Sequence, residues 1–220
     1  MKADLHVHSV HSDDGRQTVE DLIKRCEELG IGAVAITDHN TMRAHFEEVS
    51  KYEGKMIIVP AVEVTTTGGH VLAYGIKSDI PRGLSVAETV RMIHEAGGIA
   101  VAPHTYRLWS GLGEANVRAN AFDAIETING RSRKRGNRRA KRLAASLKLP
   151  EVGGSDAHNT MSVGRSYTEL PDGCRDWEDI IAAVRSGRCS ARGDDLSSSS
   201  SLGHGALNIS RWFRRGFRRM

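Results

Sequence analysis

The stretch Asp4-Leu5-His6-Val7-His8-Ser9, near the start of the chain, decides how the rest of the sequence is interpreted. Its apolar residues, Leu5 and Val7, alternate with polar ones, as is typical of a β-strand. Because successive side chains of a strand point to opposite faces, His6 and His8 are expected on one face, where a single metal ion can bind both imidazoles. Two histidines with this spacing are weak evidence alone, so a metal site requires further ligands from elsewhere in the chain.

Other short apolar segments also begin or end with a side chain that can bind metal. Asp13 lies in the turn after the first segment, and His39 follows the apolar residues 34–36. Unrelated surface residues would not repeat this placement on six predicted strands. We therefore predict a metal site whose remaining members are Glu63, His70, His104, Asp156 and His158.

Segments rich in Val, Ile and Ala alternate with amphipathic segments along the chain. Strands are predicted over residues 3–8, 33–37, 56–62, 70–74, 99–102, 124–128, 151–153 and 166–170. Helices are predicted over residues 18–29, 41–51, 85–96, 134–147 and 177–186. Repeated strand–helix units indicate an α/β fold with parallel strands, and about seven units would close a small (β/α) barrel, with an open doubly wound sheet as the alternative. In a barrel, the predicted ligands would meet at one mouth.

Composition narrows the class of protein further. The chain has 220 residues, 39% hydrophobic and 26% charged, which is typical of one globular domain plus a tail. No apolar run is long enough for a transmembrane segment, and the N-terminal residues lack an apolar signal segment, so a cytoplasmic location is expected. Three cysteines without a CxxC motif argue against a disulfide framework or a Cys-type zinc site.

The types of predicted ligand indicate which metals bind and what they do. Imidazoles and carboxylates without thiolates suit Zn, Mn or Fe. About nine ligands exceed the needs of one ion, so two or three divalent ions that share bridging carboxylates are expected. Clustered ions lower the pKa of a bridging water and bind phosphate oxygens. The sequence therefore predicts a hydrolase that needs no Ser or Cys nucleophile, and a phosphate ester is the first expected substrate.

The motifs resemble those of the PHP (polymerase and histidinol phosphatase) superfamily over roughly residues 1–190. The matching motifs, in order, are DLHVHS, SDDG, TDHN, the Glu of VPAVEV, the His of GGHVLAYG, APH and GSDAH. The resemblance implies a distorted seven-stranded (β/α) barrel, similar to a TIM barrel, with a trinuclear metal site. It also implies three ligand sets: His6, His8, Glu63 and Asp156 for the first metal, Glu63, His70 and His104 for the second, and Asp13, His39 and His158 for the third. The usual Ser-Asp-Gly reads Ser-Asp-Asp-Gly here, so Asp14 competes with Asp13.

The predicted function is a metal-dependent phosphoesterase in which a hydroxide bridging two ions attacks phosphorus. Glu63, Asp156 and His158 are its candidate catalytic residues, and Arg107, Arg131 and Arg165 are candidate phosphate ligands because each follows a predicted site segment. The substrate is expected to be a small phosphomonoester, a nucleotide or the end of a short oligonucleotide. The alternatives are a histidinol-phosphate phosphatase, amide or lactone hydrolysis, and a metal-stabilised nucleic-acid-binding or interaction module without catalysis.

Two segments carry most of the positive charge. Residues 131–142 contain eight Lys or Arg residues and no acid, and they form either a solvated helix face or a contact for phosphate. Residues 1–195 are predicted to form the phosphoesterase domain, and residues 196–220 a Ser-rich linker and a basic amphipathic helix with five arginines and no acid. Docking of the tail's aromatic side chains on the domain is the first expectation. Binding to nucleic acid or an anionic membrane surface, and disorder or self-association, are the alternatives.

Overall fold

The computed structural model describes residues 1–193. The linker and amphipathic helix predicted for residues 196–220 lie outside the described residues. The strands are β1 (Lys2–Val7), β2 (Ala33–Ile36), β3 (Ile57–Val59), β4 (Ala61–Thr66), β5 (Gly69–Tyr74), β6 (Ile99–Ala102), β7 (Ala124–Asn129), β8 (Glu151–Gly154), β9 (Ser166–Glu169) and β10 (Ser190–Gly193). The helices are α1 (Val19–Glu28), α2 (Arg43–Glu48), α3 (Val86–Glu95), α4 (Gly113–Ala119), α5 (Lys134–Leu147) and α6 (Trp177–Arg185).

Four helices match their sequence-based predictions to within one residue at each end. These are α1, α3, α5 and α6. The helix predicted over residues 41–51 is divided into α2 and a 3-10 helix, Val49–Tyr52. Helix α4 was not predicted, because its seven residues are too few to show a clear helical periodicity.

The strands of the described chain form two five-stranded mixed sheets. The first has the order β10-β9-β1-β2-β3, and the second has the order β4-β5-β6-β7-β8. The α/β fold is confirmed, but the hydrogen bonding does not show the closed seven-stranded barrel expected from the sequence. Pro60 separates β3 from β4 and has no N–H group to continue a ladder, which is one reason why the sheets remain distinct.

Irregular backbone contacts join the two sheets at the carboxyl ends of their parallel strands. The His8 amide donates to the Ala157 carbonyl over 2.8 Å, which connects the end of β1 to the segment after β8. The Asn40 amide donates to the Glu63 carbonyl over 2.9 Å, which connects the segment after β2 to β4. These two seams lie beside the predicted metal ligands, so the site forms where the sheets meet.

Apolar side chains pack both between the sheets and beneath the helices. Leu5, Leu72 and Val152 belong to an inner cluster with contributions from both sheets and from α6. A second cluster lies between the second sheet and helices α3, α4 and α5, and a third lies between the first sheet and α1 and α2. None of the helices in residues 1–193 combines the length and the apolar character that crossing a membrane requires.

Two β-bulges change which side chains reach the mouth, the opening at the carboxyl ends of the parallel strands. Along β1 the pairing with β2 advances by three residues from Asp4 to Val7 while β2 advances by two. Adjacent side chains of a regular strand point to opposite faces. The bulge instead lets both Leu5 and His6 turn inward, so that Leu5 packs in the inner cluster and His6 faces the site. A similar irregularity in β7, between Glu126 and Ile128, precedes Asn129. Bulges of this kind re-aim side chains at strand ends.

Candidate metal centre

The structure brings eight of the nine predicted ligands together, and it replaces the ninth, Asp13, with Asp14. We call these nine residues the cluster: His6, His8, Asp14, His39, Glu63, His70, His104, Asp156 and His158. Their side chains supply four overlapping groups of donor atoms, and within each group the atoms lie within 4.8 Å of one another. The groups are His8, Asp14, His39 and His158; His6, His104 and Asp156; His6, His8 and Glu63; and His39, Glu63 and His70.

Glu63 lies at the centre of the cluster, on β4, and is 1% exposed. Its Oε1 atom is 2.8 Å from His104 Nε2 and 2.9 Å from His70 Nδ1. Its Oε2 atom is 3.3 Å from both His8 Nε2 and His39 Nδ1. One carboxylate thus faces imidazoles from β5 and from the segments after β1, β2 and β6, which is the geometry of a shared ligand.

Asp156 provides the second shared carboxylate, in the turn after β8. Its Oδ1 atom is 3.6 Å from His8 Nε2 and 3.5 Å from His158 Nδ1. The residue has a φ of 52°, in the left-handed region. Aspartate tolerates this conformation better than most residues, and its use here turns the carboxylate back towards the end of β1.

Asp14 rather than Asp13 enters the cluster because of the tight loop after β1. Asp14 Oδ2 is 3.0 Å from His158 Nε2, and Asp14 is buried, whereas Asp13 is exposed. The Gly15 amide donates to the Ser12 carbonyl over 3.2 Å, and a Cβ atom at Gly15 would overlap the Ser9 carbonyl oxygen. This folded-back path determines which of the two adjacent carboxylates points inward.

Two polar residues of β7 support the ligands from behind. Glu126 Oε1 is 2.9 Å from His6 Nδ1, and Glu126 Oε2 accepts hydrogen bonds from the His104 amide and Asn129 Nδ2. Asn129 Nδ2 also donates to Asp156 Oδ2 over 3.2 Å. Such contacts fix the orientation of metal-binding side chains. Asn129 was missed by sequence reasoning, because its role depends on the bulge in β7.

Two of the three predicted arginines reach the cluster. Arg107 Nη2 donates to Asp156 Oδ2 over 2.6 Å, and Arg131 Nη1 is 3.2 Å from Asp156 Oδ1. Arg131 Nη1 also lies 2.8 Å from His158 Nδ1. Arg165 is exposed, and no contact joins its side chain to the cluster within the described residues.

The carboxylates of the cluster are held in their ionised form. Burial alone would raise the pKa of Glu63, but its interactions with the imidazoles of His70, His39 and His6 hold it well below its usual range. Burial would likewise raise the pKa of Asp156, which the charges of Arg107, His6 and Arg131 instead hold far below normal. These carboxylates therefore present negative charge in a buried place, which favours a bound cation.

Burial lowers the pKa of three imidazoles of the cluster, His39, His104 and His158, which favours the neutral form that metal binding requires. Burial, with the nearby charge of Arg107, lowers the pKa of His104 to about 4. Burial and the charges of His8 and Arg131 lower the pKa of His158 to about 4. His6 differs, because Glu126 and Asp156 outweigh its burial and raise its pKa well above the ordinary value. The carboxylates that attract a proton to His6 would equally attract a metal ion.

Several buried donor atoms of the cluster have no hydrogen-bond partner, which supports a fit to metal. Within the described residues these include His8 Nε2, His39 Nδ1 and Asp14 Oδ1. His8 Nε2 and His39 Nδ1 each approach Glu63 Oε2 within 3.3 Å, yet neither makes an aligned hydrogen bond to it. A buried polar atom without a partner costs roughly 1–3 kcal/mol. A cation placed among these atoms would satisfy them together, so the residues fit divalent metal ions.

The fold and the donor set define an α/β protein with a cluster of His, Asp and Glu side chains, at the carboxyl ends of its parallel strands, that could hold metal ions. The chain belongs to the PHP superfamily. The family model for the PHP domain matches residues 4–99, and the model described as PHP-associated matches residues 134–189. The resemblance seen in the motifs is thereby confirmed, and the two models include eight of the nine cluster residues.

Two curated relatives show how far the sequence similarity extends. The chain is 37% identical over 142 residues to an uncharacterized protein of Methanocaldococcus jannaschii, covering 59% of this chain and 82% of the relative. It is 41% identical over 66 residues to the 5'-3' exoribonuclease Rnm of Salmonella typhimurium, covering 29% of this chain. That second match spans only 22% of the exoribonuclease.

A solved structure shares the fold. A two-domain protein of Bacteroides vulgatus, described as containing a predicted PHP-like metal-dependent phosphoesterase, superposes with a TM-score of 0.69 at 20% identity. The match covers 88% of this chain and 64% of that chain. At this level of identity the comparison supports the architecture.

Proposed function

We propose that the protein is a metal-dependent hydrolase that cleaves phosphate esters. The observation that carries this proposal is the cluster itself, in which nine buried or nearly buried side chains direct overlapping sets of donor atoms around Glu63 and Asp156. The two arginines beside Asp156 add positive charge at the same place. A purely structural metal site would need neither so many donors nor adjacent cations.

Two or three divalent ions, of Zn, Mn or Fe, suit a donor set of imidazoles and carboxylates. Glu63 would be shared between ions, because its two oxygens face different groups of imidazoles. Asp14, His39 and His158 would hold a further ion at the outer edge of the cluster. When bound, such ions lower the pKa of water and polarise phosphoryl oxygens.

The protein's own side chains would position the substrate. Arg131 and Arg107 lie at the rim, partly exposed, and their guanidinium groups match the planar, bidentate geometry of phosphate. Asp156 and His158 contact Arg131, so they orient the group that would hold the phosphate. Glu126 and Asn129 keep the ligands in place during turnover. A direct role for Arg165 and the binding role of residues 196–220 stay predictions.

The names of the similar proteins support phosphate esters as the substrate class. The exoribonuclease Rnm shares 41% identity over its short match, and the Bacteroides vulgatus protein is described as a phosphoesterase. We propose a small phosphomonoester, a nucleotide or the end of an oligonucleotide as substrate. All three present a phosphate group small enough to enter a mouth whose donor atoms are buried.

Metal analysis combined with a hydrolysis assay tests the proposal. The purified chain, loaded in turn with Mn, Zn and Fe, should hold clearly more than one ion per chain and hydrolyse a generic aryl phosphate. Glu63→Gln should lose metal from two groups and lower kcat/KM by more than about 100-fold, since even residues behind the ligands contribute 10–100-fold.

The matched control is Glu95→Gln, which changes an exposed glutamate on α3 and should leave both readouts unchanged. One ion or fewer per chain after reconstitution, or an active Glu63→Gln variant, would contradict the proposal. A fully loaded protein that hydrolyses no phosphate ester would point instead to a binding module.

A further inference from the structure

Helix α5 differs from every other helix of the described chain in its charge. It contains six Lys or Arg residues and no Asp or Glu. The other helices each carry or adjoin an ion pair between an arginine and an acid three or four residues away. These pairs are Arg25–Glu28, Arg43–Glu47, Arg91–Glu95, Arg118–Glu114 and Arg175–Asp179.

The cations of α5 lie on its solvent side. Asn137, Ala140 and Leu143 are among the buried residues that face the core. Arg135, Arg138 and Arg142 are exposed, and their spacing of three and four residues places them in one row on the opposite side. The row spans about 10 Å of helix. Within residues 1–193 none of the three forms an ion pair, so this face is an uncompensated strip of positive charge.

The strip begins at the metal centre. Arg131, whose guanidinium group contacts Asp156 and His158, precedes α5 by three residues. At the far end, Lys141 lines an open depression of about 440 Å³ that Lys148 and Arg185 also line. Positive charge therefore continues from the cluster, along α5, to a depression whose charged lining residues are Lys141, Lys148, Arg185, Arg192 and a single acid, Glu151.

Exposed aromatic and aliphatic side chains occur in several of the segments that follow cluster residues. The exposed large hydrophobic side chains in the described part of the chain are Val10, Phe46, Leu108, Trp109 and Met161, and each lies in a segment that closely follows a cluster residue. The loop that carries Trp109 packs against α5, because the Arg139 guanidinium lies 3.9 Å from the centre of the Tyr106 ring. Flat apolar groups next to a row of cations are the two features that bind single-stranded nucleic acid.

We propose that the outer face of α5 binds the phosphate backbone of a single-stranded polynucleotide whose terminal nucleotide enters the metal centre. This inference rests on the proposed function and names its substrate class. A flexible single strand is favoured because the donor atoms are buried in the mouth, so the nucleic-acid strand must bend to reach them. An anionic membrane is disfavoured, because the exposed side of α5 carries cations without the large apolar residues that insert into lipid.

The experiment compares two triple variants of the full chain. Arg135→Gln/Arg138→Gln/Arg142→Gln removes three charges from the strip. Arg25→Gln/Arg91→Gln/Arg175→Gln removes three charges on or next to other helices and is the control. Binding of fluorescein-labelled single strands of about 12 nucleotides, one RNA and one DNA, is measured by anisotropy at several salt concentrations. The ratio of kcat/KM for the oligonucleotide to kcat/KM for an aryl phosphate is measured alongside.

The strip variant should bind at least about tenfold more weakly near 0.1 M salt, and the slope of log K against log salt should become shallower by about 2, since each lost contact removes about 0.7. Its kcat/KM ratio should fall by a similar factor. The RNA and DNA arms show whether one sugar is preferred. The charge-conserving variant Arg135→Lys/Arg138→Lys/Arg142→Lys should retain most of the affinity, because lysine still supplies a point charge to phosphate.

Unchanged affinity and salt slope in the strip variant would overturn the proposal, as would an equal loss in the control variant. Loss of binding to phosphatidylserine vesicles without loss of nucleic-acid binding would assign the strip to membranes instead. The binding readout does not depend on turnover. A wild-type chain that binds the strand but hydrolyses no phosphate ester would therefore contradict the proposed function while supporting the role of α5.

Discussion

The cluster and the outer face of α5 are both rich in charged groups, but they stabilise charge in opposite ways. In the cluster, Glu63 and Asp156 are almost fully buried, and their pKa values are controlled by neighbouring imidazoles and guanidinium groups. On α5, Arg138 and Arg142 are exposed, and within residues 1–193 they have no acidic partner. The buried carboxylates are stabilised by contacts with neighbouring protein groups, whereas the exposed arginines are stabilised by hydration.

This difference predicts which substitutions should change metal binding and which should change only the binding of a polyanionic ligand. A buried group that loses its partner retains the cost of desolvation, so a change in the cluster should have a large effect on metal binding. An exposed charge is hydrated in both the folded and the unfolded protein. A substitution on α5 should therefore leave the fold intact and weaken only the binding of a polyanionic ligand.

The adjacent carboxylates of the loop after β1 offer the sharpest test of the cluster. Asp14→Asn removes the negative charge beside His158 and His39, so it should release the outer metal ion and lower kcat/KM by more than about 100-fold. Asp13→Asn changes an exposed side chain and should have little effect. Metal content and hydrolysis of an aryl phosphate measure both. The reverse ranking would show that Asp13 is the ligand, as the family spacing implied.

Glu126 should matter less than a direct ligand but more than any surface residue. In Glu126→Gln, one amide group cannot accept both from His6 Nδ1 and from the His104 amide, so at least one ligand loses its support. We expect metal affinity to fall about 10–100-fold. Competition with a chelator measures the change. An effect as small as that of the exposed Glu95→Gln control would show that the cluster holds its geometry without β7.

Gly154 tests how closely the two sheets must approach beside the cluster. A Cβ atom at this position would overlap His6 Cβ and lie 3.1 Å from Glu126 Oε1. Gly154→Ala should therefore destabilise the fold by about 1–3 kcal/mol, as overpacking does. For a domain of this size, that lowers the melting temperature by about 2–4 °C per kcal/mol.

The control for this variant is Gly136→Ala in α5. An added Cβ there meets only Tyr106 Cβ, at 3.9 Å. Because glycine weakens a helix interior, this change should stabilise the protein by about 0.5–1 kcal/mol. Equal melting temperatures for the two variants would show that the seam between β1 and β8 is less tightly packed than the structure indicates.

The smallest effect is expected on the outer face of α5. Arg138→Gln removes an exposed side chain that has no ion pair within residues 1–193, so the free energy of unfolding should change by no more than about 0.5 kcal/mol. Chemical denaturation provides the measurement. A loss of more than about 1 kcal/mol would mean that Arg138 has a structural partner and that the comparison with the cluster does not hold.

Much of the site could be predicted from the sequence, because ligand chemistry resides in residue types. Imidazoles and carboxylates at the ends of apolar segments predicted a shared centre, and His6, Glu63 and His104 do meet there. Helices such as α1 and α3 were also predictable, since their apolar periodicity and their Thr18 and Ser85 N-caps are local features. In these places, local chemistry and global fold agree.

The features that the sequence left open depend on the path of the backbone. The choice of Asp14 over Asp13 follows from the tight loop around Gly15, and the entry of Asn129 follows from the bulge in β7. Neither a turn of this kind nor a bulge changes the pattern of residue types enough to be recognised beforehand. The break between β3 and β4 at Pro60, and with it the division into two sheets, also depends on the path of the backbone.

The ligand types of the cluster, the long helices and the family could be inferred from the sequence alone, because they depend on side-chain chemistry and on neighbours within a few positions. The fold, in contrast, determines which arginines reach the cluster: Arg107 and Arg131 do so, and Arg165 does not. It also places α5 next to that point, with a row of cations that have no ion-pair partner within residues 1–193. Those outcomes depend on contacts between residues 25 or more positions apart, such as Arg131 with Asp156. Such contacts form only when β6, β7 and β8 lie side by side in the second sheet, so no local pattern can specify them.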